Sequence, residues 1–376
     1  MCHNLKAMLL VFVFLFVVTP GDCLTQLPIL YDSSNNLHRD IQYHPEQPAR
    51  IETCVQALQE YKQNGESRID LVDVADTCNS GNTHRPFSND ELDHARSMLV
   101  QAHSEGMVSA LERQCRESRQ QRISDGKNPL GFVGYIDYDT YVTTESYDVC
   151  LRATAAWIRA VDLALDGGAA MALTRPPGHH ATSELSNGFC LFNFAAAAAL
   201  HALQRDAKVS ILDWDVHYGQ GVADIVMKEP RVRYVSIHQT PAFPYMGEMR
   251  SQLGEYKNVL TVPVLADTTW TCGYQHYFND IALPFVQSPE WEPDLVIVCA
   301  GYDGLLSDEL ASMSLTAQDY GTMTRRLLEH LQLNRDKRPG IVLGLEGGYQ
   351  LANGAAGGNL ADAVLVTVQA LLDEAR

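Results

Sequence analysis

Asp213, Asp215 and His217 stand at alternate positions directly after the apolar run V-S-I-L, Val209 to Leu212. Two of its four residues, Val209 and Ile211, are β-branched, and the run reads as a short buried strand. In an extended backbone, side chains two apart point to one side, so two carboxylates and an imidazole converge on one face. Burying such groups is costly unless something cationic compensates. A divalent metal is the simplest compensation, and Asp with His is a ligand set that suits zinc. The other reading is a strand end meeting solvent, where D-x-D-x-H is merely polar. These residues alone leave both open.

Other polar clusters in the chain also follow apolar β-type runs. Arg175 to Ala181 reads R-P-P-G-H-H-A, and Gly188 to Asn193 reads G-F-C-L-F-N. Cys299 to Asp303 reads C-A-G-Y-D, and Leu345 to Tyr349 reads L-E-G-G-Y. Near the N-terminus, His44, Pro45, Glu46, Pro48 and Arg50 spell H-P-E-x-P-x-R, and Asp139 to Glu145 spells D-T-Y-V-x-x-E. Together these motifs closely resemble the zinc-dependent histone deacetylase family, within the arginase–deacetylase fold. The L-E-G-G-Y spelling is nearer its class II and bacterial deacetylase-like members than class I. The resemblance runs from about Ile29 to the C-terminus.

The resemblance implies a set of roles. Asp215, His217 and Asp303 would hold one catalytic zinc, leaving a position for water and the substrate carbonyl. His180 would act as general base and later acid, with His179 as its electrostatic partner, oriented by Asp213. Tyr349 would donate a hydrogen bond to the developing oxyanion. Phe189 and Phe243 would flank a tunnel for a lysine stem, with Gly188 in its wall and Asp139 and Leu310 at its rim. A structural potassium ion is implied at Asp213, Asp215, Ser236 and the main-chain oxygens of His217 and Ile237.

Some positions depart from the family pattern. After His217 come Tyr218, Gly219 and Gln220, so an amide replaces the usual polar partner of His180. A neutral amide can orient the ring but cannot raise its pKa as a carboxylate would. Phe194 replaces a second asparagine, and Tyr245-Met246 makes the rim loop bulkier. These bear on substrate choice and rate. The implied reaction is removal of acetyl groups from lysine side chains in proteins or peptides. An acetylpolyamine or other small-amide deacetylase is the alternative within the fold, and an acetyl-lysine-binding scaffold the alternative without catalysis.

The elements that must position these residues alternate. A-A-M-A-L-T, V-S-I-L, V-R-Y-V-S-I, V-L-T-V-P-V, L-V-I-V-C-A and I-V-L-G-L are continuous apolar strands, with helical stretches at 193–205, 316–331 and 360–374. Such alternation indicates a mainly parallel sheet covered on both faces, a single-domain three-layer α/β/α architecture. Open α/β sheets place ligands beyond the carboxyl ends of their strands, where the polar clusters fall. Asn89 has N-cap chemistry for another helix, and the polar stretch Arg113 to Pro129 reads as a surface excursion.

The chain has 376 residues and a formal net charge of −18, which argues against direct nucleic-acid binding. Nine cysteines without a C-x-x-C do not form a disulfide framework in a chain this long, although Cys54, Cys78, Cys115, Cys150 and Cys272 could pair in an oxidising lumen. Lys6, the apolar run Ala7 to Val18 and the break that follows have the pattern of a secretory signal peptide over residues 1–23. The catalytic domain is then expected over 28–376, in the secretory pathway or an organelle; the alternative is cytoplasm or nucleus. The mature chain is expected to start between about Pro20 and Gln26. N-terminal sequencing of native soluble protein that finds Met1 intact would refute processing.

Overall fold

The apolar runs become the strands of one sheet in a computed structural model that describes residues 26–75, 86–165, 168–332 and 338–373. The N-terminal apolar run and Cys78 lie outside the described residues. The large sheet comprises β1 (Leu27–Tyr31), β2 (Ile69–Asp73), β5 (Ala169–Leu173), β6 (Val209–Asp213), β7 (Val232–Thr240), β8 (Ser251–Leu253), β9 (Val259–Leu265), β10 (Leu295–Ala300) and β11 (Gly340–Leu345). Its order is β2-β1-β5-β11-β10-β6-β7-β9-β8, parallel except where β8 pairs with β9. A separate antiparallel pair joins β3 (Phe132–Tyr135) to β4 (Tyr141–Thr143).

Buried strands distribute their side chains alternately to two cores. In β10, Val296, Val298 and Ala300 enter one apolar cluster while Leu295, Ile297 and Cys299 enter the other. The first cluster is covered by α1 (Ala49–Gln63), α8 (Ala317–Gln332) and α9 (Leu360–Asp373). The second is covered by α2 (Asn89–Ala102), α4 (Ser146–Leu165) and α5 (Phe194–Leu203). Short helices α6 (Gln220–Val226) and α7 (Leu283–Val286) complete the connections. The expected three-layer architecture is therefore present.

Two local expectations need correction. Residues 113–124 are not an excursion: they belong to α3 (Glu105–Ser124), capped by Ser104 and burying Val108, Leu111 and Cys115. Few apolar residues suffice because only one narrow stripe is covered, which a polar sequence hides. The cap of α2 is Ser88, whose hydroxyl accepts from Glu91 N–H while the Glu91 carboxylate receives the Ser88 N–H; Asn89 is the first helical residue. The described cysteines Cys54, Cys115, Cys150, Cys190, Cys272 and Cys299 are all free.

A buried ionic network joins the N-terminal loop to the strand ends. Glu46 receives Arg175 Nε at Oε1 and Arg175 Nη2 at Oε2, both at 2.7 Å, and Tyr141 Oη at 2.9 Å. Arg50 Nη1 lies 3.4 Å from the same carboxylate, while its Nε donates to Gly348 O at 2.8 Å. Burial opposes ionisation of Glu46, but Arg175 outweighs it and holds the carboxyl down at about 2. Glu46→Ala would strand two buried guanidinium groups. It is expected to cost about 3–5 kcal/mol of stability in denaturant unfolding, the range for breaking a buried pair; a loss below about 1 kcal/mol, the range of exposed pairs, would contradict that role.

Candidate active site

Register brings the polar clusters to one edge. Cys299 pairs with Asp213, Asp213 with Ser236, and Ala300 with Leu345, so β6, β10 and β11 end side by side while β7 runs on to Thr240. The residues just beyond those ends are Asp215, His217, Asp303 and the E-G-G-Y turn. Asp215, His217 and Asp303 are buried, and one ligand atom from each lies within 4.8 Å of the others, the sole such group found among the described residues. His217 Nδ1 stands 3.0 Å from Asp303 Oδ2 and 3.4 Å from Asp215 Oδ1.

The backbone is arranged around these carboxylates. Asp303 Oδ1 accepts from Val216 N–H at 2.9 Å, and Asp215 Oδ2 from Gly347 N–H at 2.8 Å. A Cβ on Gly347 would collide with the carboxylates of both Asp303 and Asp215, so only glycine permits this approach. Two aspartates this close repel. Burial first, and then the charge of Asp215, push the Asp303 carboxyl above its usual range. Their negative charge also draws protons to the imidazoles. Burial would discharge His179, yet Asp215 and Asp213 outweigh it and hold the ring up at about 10. Two carboxylates and an imidazole, with excess negative charge and a glycine cradle, are a donor set that suits a divalent cation such as zinc.

The tandem histidines separate in role by their neighbours. His179 Nδ1 is 3.1 Å from Asp213 Oδ2, which also accepts from Tyr234 Oη at 2.7 Å. His180 Nδ1 is 2.7 Å from Gln220 Oε1, and Gln220 Nε2 donates to His180 O at 3.2 Å, which fixes the amide's orientation. His180 Nδ1 therefore carries the hydrogen, and Nε2 is its basic nitrogen. Burial, then the charges of His179 and His217, push the His180 pKa well below the usual imidazole range.

A cavity of about 170 Å³ collects these groups. Its lining includes His179, His180, His217, Asp303, Tyr349, Gly188, Phe189, Phe243, Asp139 and Leu310. Phe243 packs edge-on against His180 at 4.9 Å, and Phe189 against Tyr349 at 5.7 Å. Gly188 adopts φ +55°, and a Cβ there would meet both His180 and Phe243 at 2.8 Å. Asp213 and Ser236 are register neighbours on β6 and β7, with Ser236 Oγ 3.0 Å from His238 Nδ1. Ile237 follows Ser236 on β7 and is buried.

At the rim, Leu310 is 36% exposed, while the neighbouring Glu309 accepts from Tyr43 Oη at 2.6 Å. Tyr245 and Met246 are 71% and 54% exposed, as the bulkier loop implied. Tyr218 is instead buried, its ring 4.8 Å from that of His238, and Phe194 is buried at the start of α5.

Residues 44–364 match the histone deacetylase domain. The chain belongs to the histone deacetylase family. An uncharacterized protein of Synechocystis is 42% identical over 242 residues, 64% of this chain and 74% of that protein. Human polyamine deacetylase HDAC10 is 33% identical over 237 residues, 60% of this chain and 33% of that protein. The crystal structure of the HDA15 HD domain superposes with a TM-score of 0.74 at 25% identity, covering 93% of this chain and 88% of that one. The chain is thus a deacetylase-family hydrolase with the arginase–deacetylase fold, in a family that typically depends on metal.

Sequence reasoning missed two carboxylates. Glu346, the acid of L-E-G-G-Y, accepts Gly178 N–H at 2.6 Å and His179 N–H at 3.1 Å, pinning the histidine pair. Burial drives its carboxyl up to about 7, against the pull of His179. Asp308 accepts from the backbone of Tyr349 at 2.7 Å, and burial followed by the Asp303 charge raises it to about 7. For Glu346 the available signal was a charged residue inside the otherwise apolar and glycine-rich L-E-G-G-Y; Asp308, between Ser307 and Glu309, carried none. Asp303→Asn is expected to abolish tight zinc binding and activity together; full zinc occupancy by elemental analysis would break the ligand assignment.

Proposed function

We propose that this protein is a zinc-dependent deacetylase that hydrolyses the acetyl amide of acetyl-lysine side chains in proteins or peptides. One observation carries the reading: a single narrow cavity is lined by His217 and Asp303 of the carboxylate–imidazole cluster, both tandem histidines, and Tyr349. At about 170 Å³ it is smaller than the roughly 300–1,000 Å³ of pockets for drug-sized ligands, which favours a slim extended chain between Phe189 and Phe243.

Asp215, His217 and Asp303 would hold the zinc, which supplies a water of lowered pKa and polarises the amide carbonyl. His180, its Nδ1 tied to Gln220, takes a proton from the attacking water at Nε2 and returns it to the departing lysine amine. His179, kept cationic by Asp213 and Asp215, offsets negative charge developing beside it. The Tyr349 phenol donates to the carbonyl oxygen as that atom becomes anionic. Asp139 offers a carboxylate at the rim for a substrate backbone N–H. A structural potassium at Asp213, Asp215, Ser236 and the carbonyls of His217 and Ile237 is part of the proposal, supported by the Asp213–Ser236 register.

Residues 28–376 would form the catalytic domain, and the basic–apolar–small pattern of residues 1–23 supports entry into the secretory pathway or an organelle. The acetylpolyamine reading has its own support in the HDAC10 match and in Glu309 beside the mouth. Against it, Leu310 lines the cavity and Glu309 is hydrogen-bonded to Tyr43, so the lining at this point is apolar. An apolar mouth cannot pair with a distant ammonium.

Assaying zinc-loaded protein side by side on an acetyl-lysine peptide and acetylspermidine should give the higher kcat/KM for the peptide. Leu310→Glu should narrow the gap. Preference for acetylspermidine that Glu309→Leu removes would replace the peptide reading with the polyamine one.

A further inference from the structure

Asp308 lies on the loop that carries Leu310 to the cavity mouth, five residues beyond Asp303. Its side chain is buried, and its carboxylate accepts from backbone N–H groups on two separate loops. Oδ2 accepts from Tyr349 at 2.7 Å and from Gln350 at 3.1 Å; Oδ1 accepts from Leu310 at 3.0 Å. Asp308 is itself fixed, since its N–H donates to Leu305 O at 2.9 Å.

The segment that needs this support has no regular secondary structure between β11 and α9. Tyr349 follows Gly348, whose φ is +115°, so the backbone carries the phenol out of a turn rather than a strand. Arg50 braces the ring from one side, its guanidinium carbon 4.7 Å from the ring centroid, but it bonds the carbonyls of Glu346 and Gly348 rather than Tyr349 itself. Among the described residues, Asp308 Oδ2 is the partner of the Tyr349 N–H. Reacting groups misplaced by about 1 Å can lose about 10²-fold in rate, so the anchor of this one amide matters to the phenol at its far end.

We propose that Asp308 is a positioning residue for Tyr349: its carboxylate sets where the phenol meets the substrate carbonyl and ties that placement to Leu310 at the mouth. The inference rests on Tyr349 acting as the oxyanion donor. Asp308 works only as an acceptor, because all three partners are donors. Asparagine keeps the shape but turns an NH₂ toward at least one of those N–H groups.

The same two loops are also joined away from Tyr349. Gln350 Nε2 donates to Ser307 O and Ser307 Oγ donates to Ala356 O, each at 2.6 Å. That contact supplies a control for general loosening.

The test is a double-mutant cycle on an acetyl-lysine peptide, with zinc content and Tm measured for each protein. Asp308→Asn is expected to lower kcat by about 10–10²-fold with zinc retained and KM little changed. Tyr349→Phe should lower kcat by roughly 10²–10³-fold, and adding Asp308→Asn to it should cost no more than about 3-fold further. Ser307→Ala should stay within about 2-fold of wild type. If Asp308→Asn does not fold, Asp308→Glu, which keeps the charge but displaces the acceptor, enters the same cycle with a smaller expected loss. Multiplicative effects, or a wild-type kcat in the folded Asp308 variant beside a slow Tyr349→Phe, would overturn the inference alone. A wild-type kcat in Tyr349→Phe would overturn the oxyanion reading and this inference together.

Discussion

The structure depends on keeping Asp215 and Asp303 ionisable side by side in a site that water barely reaches. Isolated carboxylates in so dry a place would neutralise, because the desolvation cost far exceeds what a folded protein can spare. The chain answers with fixed donors: the N–H groups of Val216, His217 and Gly347 point at these oxygens, and His217 Nδ1 lies against both. A cation with open coordination positions completes such a set better than any further side chain could. Excess negative charge here also explains why the neighbouring imidazoles are so unlike each other.

His179 and His180 are adjacent in sequence, yet they face opposite fields. His179 points at Asp213 and Asp215 and is held cationic, whereas His180 faces a neutral amide and two other imidazoles and is held neutral. A charged ring beside a neutral one is a usable division of labour, with one stabilising charge and the other free to take a proton. The neutral Gln220 amide fixes the tautomer without the charge by which a carboxylate partner would raise the His180 pKa.

Further out, the Glu46–Arg175–Arg50 network connects three stretches of chain that share no regular hydrogen-bond ladder. Arg175 begins the loop to the histidine pair, Arg50 reaches the carbonyls around the E-G-G-Y turn, and Glu46 sits between them. Loops on an open parallel sheet have no neighbouring strand to hold them. Buried, directional ion pairs supply the rigidity that the site geometry requires, although such pairs add little net stability over apolar packing. Asp308 and Glu346 extend the same device by fastening loop backbone to carboxylate.

Local pattern was enough for the strands, because continuous apolar runs such as L-V-I-V-C-A can only be buried on both faces. The D-x-D-x-H spacing marked the right groups, but Asp215 and His217 lie in a bend beyond the end of β6, so strand periodicity is not what brings them together. The motif spellings pointed to the same cavity residues that the structure gathers around His217 and Asp303. Helix α3 escaped notice because its covered stripe is narrow, and Ser88 was overlooked beside an equally plausible Asn89. What only the tertiary structure decided is which distant groups meet. That Glu309 turns to Tyr43 while Leu310 lines the cavity, and that Asp308 holds Tyr349 across 41 residues, depends on where two loops cross. No periodicity encodes such a crossing; it is set by the order of parallel strands and the lengths of the connections between them.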